Sequence, residues 1–311
     1  MRLIYSDRLD PYFHLAAELA LVQGATDSIL MLWRSSPSVV CGKHQNACAE
    51  ANIQFCSEKN INVARRISGG GTVFHDLGNV NFTFIKNLEE GMEKAVNYKQ
   101  FLEPVRTALK GLGVETTYSK RDDLLLNDLK ISGNAQHIYQ KGLRVLHHGT
   151  LLYDSDLKSL NTAIHSAGTY EGKSVPSNRS EVTNIREWHD LGDTVSFLGY
   201  LQREFSKIYE IDFQGDEAFS TAELEEIESL RDSKFSQDSW ILGYSPKYVH
   251  RREINWNGQK VELFQRVQDG IIQEMSIDGN LMENCNGVRL ELPVMRTIFS
   301  GVSDKQLLQL F

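Results

Sequence analysis

At 311 residues the chain can bury one large core, or one medium and one small core. Its 41% apolar and 24% charged residues are ordinary for a globular protein, and no apolar run approaches the ~18 residues of a membrane span. The net charge of −8 argues against a general nucleic-acid binder, although it leaves local patches of either sign open.

The opening segment, Met1-Arg2-Leu3-Ile4-Tyr5-Ser6-Asp7, has neither a signal-peptide core nor an Arg/Ser-rich transit pattern, so a cytoplasmic protein is expected. Asp10 caps and Pro11 starts a predicted helix whose stripe of Leu15, Ala16, Leu19, Ala20 and Val22 runs to Gly24. Ile29–Trp33 and Ser38–Cys41 read as buried strands, and residues 47–59 as a helix leading to a strand at 61–65. A glycine run, Ser68-Gly69-Gly70-Gly71, precedes Thr72–His75 and a strand through 80–85. A helix over 98–110 ends at Gly111 and Gly113, and strands follow near 114–118, 123–126 and 143–152. Residues 164–180, polar and rich in Gly, Pro, Ser and Asn, read as a surface loop. Helices fit 194–208 and 222–235.

Beyond Pro246 the pattern changes. Strand-like stretches at 248–256, 261–267 and 271–277 are separated by Asn257-Gly258 and Asp269-Gly270, both strong hairpin signals. The expected organisation is therefore a mixed α/β domain, residues 1–246, followed by a small accessory domain, residues 247–311. Cys41, Cys48, Cys56 and Cys285 include no CxxC pair, which points to neither a disulfide framework nor a zinc site.

Three stretches carry chemistry. In Arg65-Arg66-Ile67-Ser68-Gly69-Gly70-Gly71-Thr72-Val73-Phe74-His75, the glycines expose backbone N–H groups to a ligand and the two arginines offer paired donors for an anion. The run is neither a P-loop nor a dinucleotide fingerprint. Alone it reads equally as a flexible turn. Asp122 and Asp123 are candidate Mg²⁺ ligands, since such sites use one or two carboxylates beside phosphates; an exposed turn is the competing reading. Lys130 follows an Asn127-Asp128 turn, where a lone lysine is more often a surface residue. His147 and His148, adjacent on a strand, face opposite sides, so one can meet a pocket while the other packs.

Taken together and in order, RRISGGGTVFHDLGNVN (65–81), RDDL (121–124), KISGNAQ (130–136) and HHGTLL (147–152) closely resemble the lipoate–protein ligase family. PSVVCGKHQN (37–46) and WILGYSP (240–246) fit the same pattern. The resemblance implies a mixed α/β catalytic domain of the biotin-ligase and class II aminoacyl-tRNA synthetase type, with a small C-terminal domain in two-domain members. It places lipoyl-nucleotide contacts on Arg66, Ser68, Gly71, Val73, His75, Asp123, Lys130 and His148. Lys130 would be the essential lysine, and Asp123, with Asp122 beside it, would work near Mg²⁺. Two departures stand out: Asp122 occupies a position where the family commonly has Asn, and Ile67 one that is often basic.

The implied substrates are lipoate or octanoate, ATP and Mg²⁺. The implied partners are lipoyl domains of 2-oxoacid dehydrogenase E2 subunits and the glycine cleavage H protein. ATP would convert a poorly electrophilic carboxylate into an acyl-adenylate, and the carrier lysine, ~0.04% neutral at pH 7, would then attack it. The acyl tail needs an apolar slot, for which 29–33, 39–41 and 82–84 are candidates. An ATP-independent acyl transferase of the same fold is the alternative, and Cys41 would then be the candidate nucleophile. Biotin ligation is disfavoured because its GRGRxGR-type loop is missing.

Overall fold

A computed structural model of the chain describes residues 1–88, 97–139, 141 and 143–311. A five-stranded sheet forms its centre, in the order Arg2–Ser6, Ile29–Trp33, Asn79–Asn87, Arg144–Leu152, Asn134–Tyr139. The first pair is parallel and the rest antiparallel. Both faces are covered, so the strands read as continuous apolar runs with no solvent-facing alternation. The side-chain period of two still divides them. Leu30, Leu32, Val80, Phe82 and Phe84 pack under the helices Lys99–Gly111 and Thr194–Tyr209, while Ile29, Met31, Trp33 and Ile85 pack against the helix Pro11–Gly24.

That first helix begins as expected, with Asp10 accepting a hydrogen bond from the Tyr12 N–H and Pro11 in the first turn. It is buried almost all round, because Thr221–Leu230 and its continuation Arg231–Phe235 cover its outer side. The helix expected over 47–59 is two short helices, Ala47–Glu50 and Ile53–Glu58. Asn52 stops one and caps the other, accepting from the Phe55 N–H at 3.0 Å.

Two three-stranded sheets flank the centre. One is Asn62–Arg65, Ser38–Cys41, Val73–His75, which brings both ends of the glycine loop together. The other is Thr117–Tyr118, Leu124–Leu126, Leu129–Ser132. Its hairpin turns at Asn127 and Asp128, both in the left-handed region.

The C-terminal meander forms as read: Tyr248–Trp256, Gln259–Gln268 and Ile271–Ile277 pair in antiparallel succession. Asn257-Gly258 and Asp269-Gly270 take positive φ at both positions, the type I′ geometry that suits hairpins. Its edge is completed by Thr169–Gly172, from the stretch read as loop. Thr169 and Tyr170 favour a strand, but Glu171 and Gly172 and the polar run around them mask it; the exposed edge of Tyr248–Trp256 supplies the hydrogen bonds that extend the segment. Cys48 packs into the core of this sheet, joining it to the rest of the chain. Among the described residues, no helix is long and apolar enough to cross a membrane.

Candidate active site

Arg66, Gly71, Val73, His75, Asp123, Lys130 and His148 line one cavity of about 610 Å³. Ser68 stands one layer behind them, buried against Arg66 and His148. Four sequence stretches meet here because the central sheet brings them to one face. Trp33 pairs across to Asn81 and Asn81 to Thr150; Met31 pairs to Thr83 and Thr83 to His148. Trp33, Asn81, His148 and Thr150 therefore all lie on the cavity side. The same period turns Phe82 and Phe84 away into the opposite core, so of the expected apolar slots only Trp33 and Val40 reach the cavity, joined by Leu15 and Ala135.

The adjacent histidines divide as strand geometry requires. His147 stacks on Phe101 with 4.9 Å between centroids, and burial pushes its pKa well below the usual value. His148 faces the cavity. Its Nε2 lies 2.6 Å from Ser68 Oγ, and its Nδ1 lies 2.9 Å from Glu18 Oε1. A carboxylate can only accept, so Glu18 takes the Nδ1–H of His148; Nε2 is then left to accept from the Ser68 hydroxyl, which itself accepts from Arg66 Nε. Glu18 also accepts from Thr83 Oγ1 at 2.7 Å, and Thr83 accepts from Trp33 Nε1 at 3.1 Å. A buried polar chain thus runs from Trp33 to Arg66 beneath the cavity floor. Glu18 was not anticipated. The available signal was a single carboxylate inside Phe13–Val22, an otherwise largely apolar stretch.

Neither arginine before the glycines is a free clamp. The Arg66 guanidinium donates to the carbonyls of Val40, Gly69 and Gly71, at 3.0, 2.7 and 2.7 Å, and so moulds the loop from inside; burial lowers its pKa to about 10. Arg65 is fully buried outside the cavity, bonded to carbonyls of Gly42, Lys43, Gln45, Trp240 and Ile241 and to Ser245 Oγ. It fastens the loop to the segment that leads into the C-terminal sheet. Gly70 sits at φ +88°, a conformation that only glycine adopts cheaply. Ile67, where a basic residue was the alternative, is buried in the core beside the first helix.

Lys130 projects from Leu129–Ser132, and its Nζ lies 3.1 Å from Asp123 Oδ1. Lys120, Arg121 and Arg179 share the same mouth, so cations outnumber the one lining carboxylate. Asp123 presents an oxygen toward this mouth and fits a Mg²⁺ held mainly by phosphates, as such ions commonly are. Asp122 is not among the lining residues; it takes φ +59° and its carbonyl accepts from Asn134 Nδ2. Among the described residues, no group of three or more His, Cys, Asp or Glu side chains could hold a metal unaided.

The stretch read as a surface loop closes over the glycines. Ser177 Oγ accepts from the Thr72 N–H at 2.8 Å and from Gln45 Nε2 at 3.0 Å, and donates to Glu50. Val175, Pro176 and Asn178 complete the cavity wall. Among the described residues, two buried wall atoms lack a protein partner, His75 Nδ1 and Asn81 Nδ2. The His75 pKa falls to about 3, through burial first and then the charges of Arg66, His148 and His14. Cys41 is fully buried outside the cavity, and burial pushes its thiol pKa up.

The cavity thus sets an apolar wall beside a group of cationic side chains, with the glycine loop lining both. The lipoyl protein ligase A/B catalytic domain model matches residues 10–203. Lipoate-protein ligase LplJ of Bacillus subtilis is 33% identical over 309 residues, covering 95% of this chain and 92% of its own. Lipoate–protein ligase 1 of Staphylococcus aureus is 34% identical over 279 residues, covering 87% and 82%. The lipoic-acid-bound structure of Ta0514, a lipoate protein ligase homologue from T. acidophilum, superposes with TM-score 0.65 at 25% identity, over 78% of this chain and 98% of that one. A lipoate-protein ligase A structure bound with ATP gives 0.64 at 25%, over the same shares. The chain belongs to the lipoate–protein ligase family.

Proposed function

We propose that this chain joins lipoate to ATP as lipoyl-adenylate and passes the lipoyl group to a lysine of a lipoyl domain, in E2 subunits or the glycine cleavage H protein. One observation carries the reading: a single cavity is lined both by apolar side chains (Leu15, Trp33, Val40) and by Lys120, Arg121, Asp123, Lys130 and Arg179. The similar structures named above bind lipoic acid and ATP.

In the first step a lipoate carboxylate oxygen attacks the α-phosphorus. The new O–P bond forms as the bond to the β-phosphate breaks, and pyrophosphate leaves with the electron pair. Lys130, pre-placed by its hairpin, stabilises charge gathering on the phosphoryl oxygens. Asp123 would hold Mg²⁺, which supplies charge neutralisation on the phosphates when bound. Backbone groups of Gly71 and Val73 face the nucleotide; Ser68 and Arg66 fix the loop that carries them. His148, locked by Glu18, shapes the floor under the acyl chain. In the second step the neutral carrier amine attacks the acyl carbonyl, the C–N bond forms, and AMP leaves as the nitrogen sheds its proton. Orientation by the cavity supplies much of the rate here.

The test is the intact mass of a purified lipoyl domain incubated with the protein, lipoate, ATP and Mg²⁺, alongside lipoate-dependent ATP–pyrophosphate exchange. The expected result is a lipoyl adduct that needs ATP. Transfer from an acylated carrier at the same rate without ATP overturns the reading.

A further inference from the structure

A second feature adjoins the cavity on the outer side of the glycine loop. Lys43 is tied to that loop, its N–H donating to the Ser68 carbonyl at 2.8 Å. Its Nζ stands 6.0 Å from the ring centre of Tyr244, which is 43% exposed. The Tyr244 ring meets Trp240 at 4.7 Å, and Lys234 Nζ lies over the other ring, 4.2 Å from the Trp240 centre. His137 completes the group: it sits two residues beyond the cavity-lining Ala135, on the same face of an edge strand. Burial first, then the charges of Lys43, His148 and Lys234, lower the His137 pKa. Lysines 130, 207 and 260 are paired with carboxylates, but among the described residues Lys43 and Lys234 have no such partner. These cations gather in a chain whose net charge is −8.

We propose that Lys43, His137 and Lys234, set around Trp240 and Tyr244, dock an acidic face of the carrier domain beside the cavity into which its lysine reaches. The inference rests on the ligase reading above and adds to it the surface that selects the partner. Unpaired ammonium groups at a rim attract acidic partners at long range, and flat aromatic rings give the contact area and position. The rest of the acidic surface repels the same partner, so the patch directs where it lands.

The measurement is steady-state ligation with a purified lipoyl domain at two salt concentrations, with lipoate-dependent ATP–pyrophosphate exchange run on the same preparations. Lys43→Glu/Lys234→Glu should raise the carrier KM on the order of tenfold or more, flatten its salt dependence, and leave kcat and exchange near the parent values. Lys43→Glu alone, at a half-buried side chain without a hydrogen bond, should show a smaller rise and guards against misfolding of the double variant. An unchanged KM and salt slope in both folded variants overturns the docking surface while leaving the ligase reading intact. Loss of exchange in the parent protein overturns the ligase reading instead. Binding of a duplex DNA oligonucleotide at the patch, with no binding of the lipoyl domain, assigns it a different partner and also overturns the proposal.

Discussion

The molecule contains two five-stranded sheets built on different rules. Apart from its edge Thr169–Gly172, the C-terminal sheet is a run of neighbours: each hairpin closes locally through Asn257-Gly258, Asp269-Gly270 or Asp278-Gly279, all at positive φ. The central sheet pairs strands far apart in sequence, Ile29–Trp33 with Asn79–Asn87 and then with Arg144–Leu152. Its helices and loops are spent on bringing Glu18, Ser68, Lys130 and His148 together. Local closure gives an economical scaffold, and long-range closure gives a place where four stretches of sequence can meet. The residues with chemistry to do gather beside the second kind, with His148 on the central sheet itself and Lys130 and His75 on the small sheets that flank it.

The same difference decides what was legible beforehand. Turn dipeptides specify backbone φ directly, so the meander could be read strand by strand. The glycine loop, Lys130 and His148 could be found because ordered motifs mark them. Strand order in the central sheet could not be read, because strands buried on both faces carry no alternation. Arg2–Ser6 and Asn134–Tyr139 were missed for a related reason: each becomes a strand by pairing with Ile29–Trp33 or Arg144–Leu152, and sequence marks those strands without marking who pairs with them. Arg65 and Arg66 illustrate a further limit. Sequence shows two guanidinium groups, but only the fold shows that both are engaged by backbone carbonyls.

If function resides in the cavity assembled beside the central sheet, the side chains that line it should carry the largest effects. Lys130→Ala should reduce lipoate-dependent ATP–pyrophosphate exchange by ~10²–10³, the usual loss when a preorganised charge is removed. Its side chain is part-exposed and, among the described residues, ion-paired with Asp123 alone, so the thermal midpoint should barely move. Near-normal exchange would break the assignment.

Glu18 tests whether the floor of the cavity acts as a unit. Glu18→Ala strands the His148 Nδ1–H and the Thr83 hydroxyl in a dry site, at a cost of roughly 2–4 kcal/mol in unfolding free energy. The double variant Glu18→Ala/His148→Ala should cost less than the sum of its single changes, read from denaturant curves. Simple additivity would show that the polar chain is not coupled.

Acid should also act on the elements packed around the central sheet. Burial lowers the His14 pKa to about 4 and the His75 pKa to about 3, against ~6.5 when unfolded. Both are held neutral in the fold, so their contribution is full above the unfolded value and is lost as pH falls from ~6.5 toward those folded values. Between pH 7 and pH 5 each should remove roughly 1–2 kcal/mol. Thermal midpoints across that range should fall less steeply in His14→Gln than in the parent. Identical slopes would remove His14 from the account.

The smallest effect separates the sheets most cleanly. We propose that residues 1–246 and 247–311 form two domains, the second borrowing Thr169–Gly172 as an edge. Gly258 closes the first hairpin at φ +82°, and a methyl group there would meet nothing within 4 Å. Gly258→Ala therefore introduces backbone strain without a clash, on the order of 1 kcal/mol. The cost falls on the hairpin between Tyr248–Trp256 and Gln259–Gln268, remote in sequence from every cavity-lining residue. Hydrogen exchange should quicken in those strands and in Thr169–Gly172, which hydrogen-bonds to the first of them. ATP–pyrophosphate exchange should stay at the parent rate, because the glycine loop, Lys130 and His148 are held by other sheets. Faster hydrogen exchange spreading equally through Asn79–Asn87 and Arg144–Leu152 would mean that the two sheets unfold as one body, with Cys48 and Arg65 as the bolts between them.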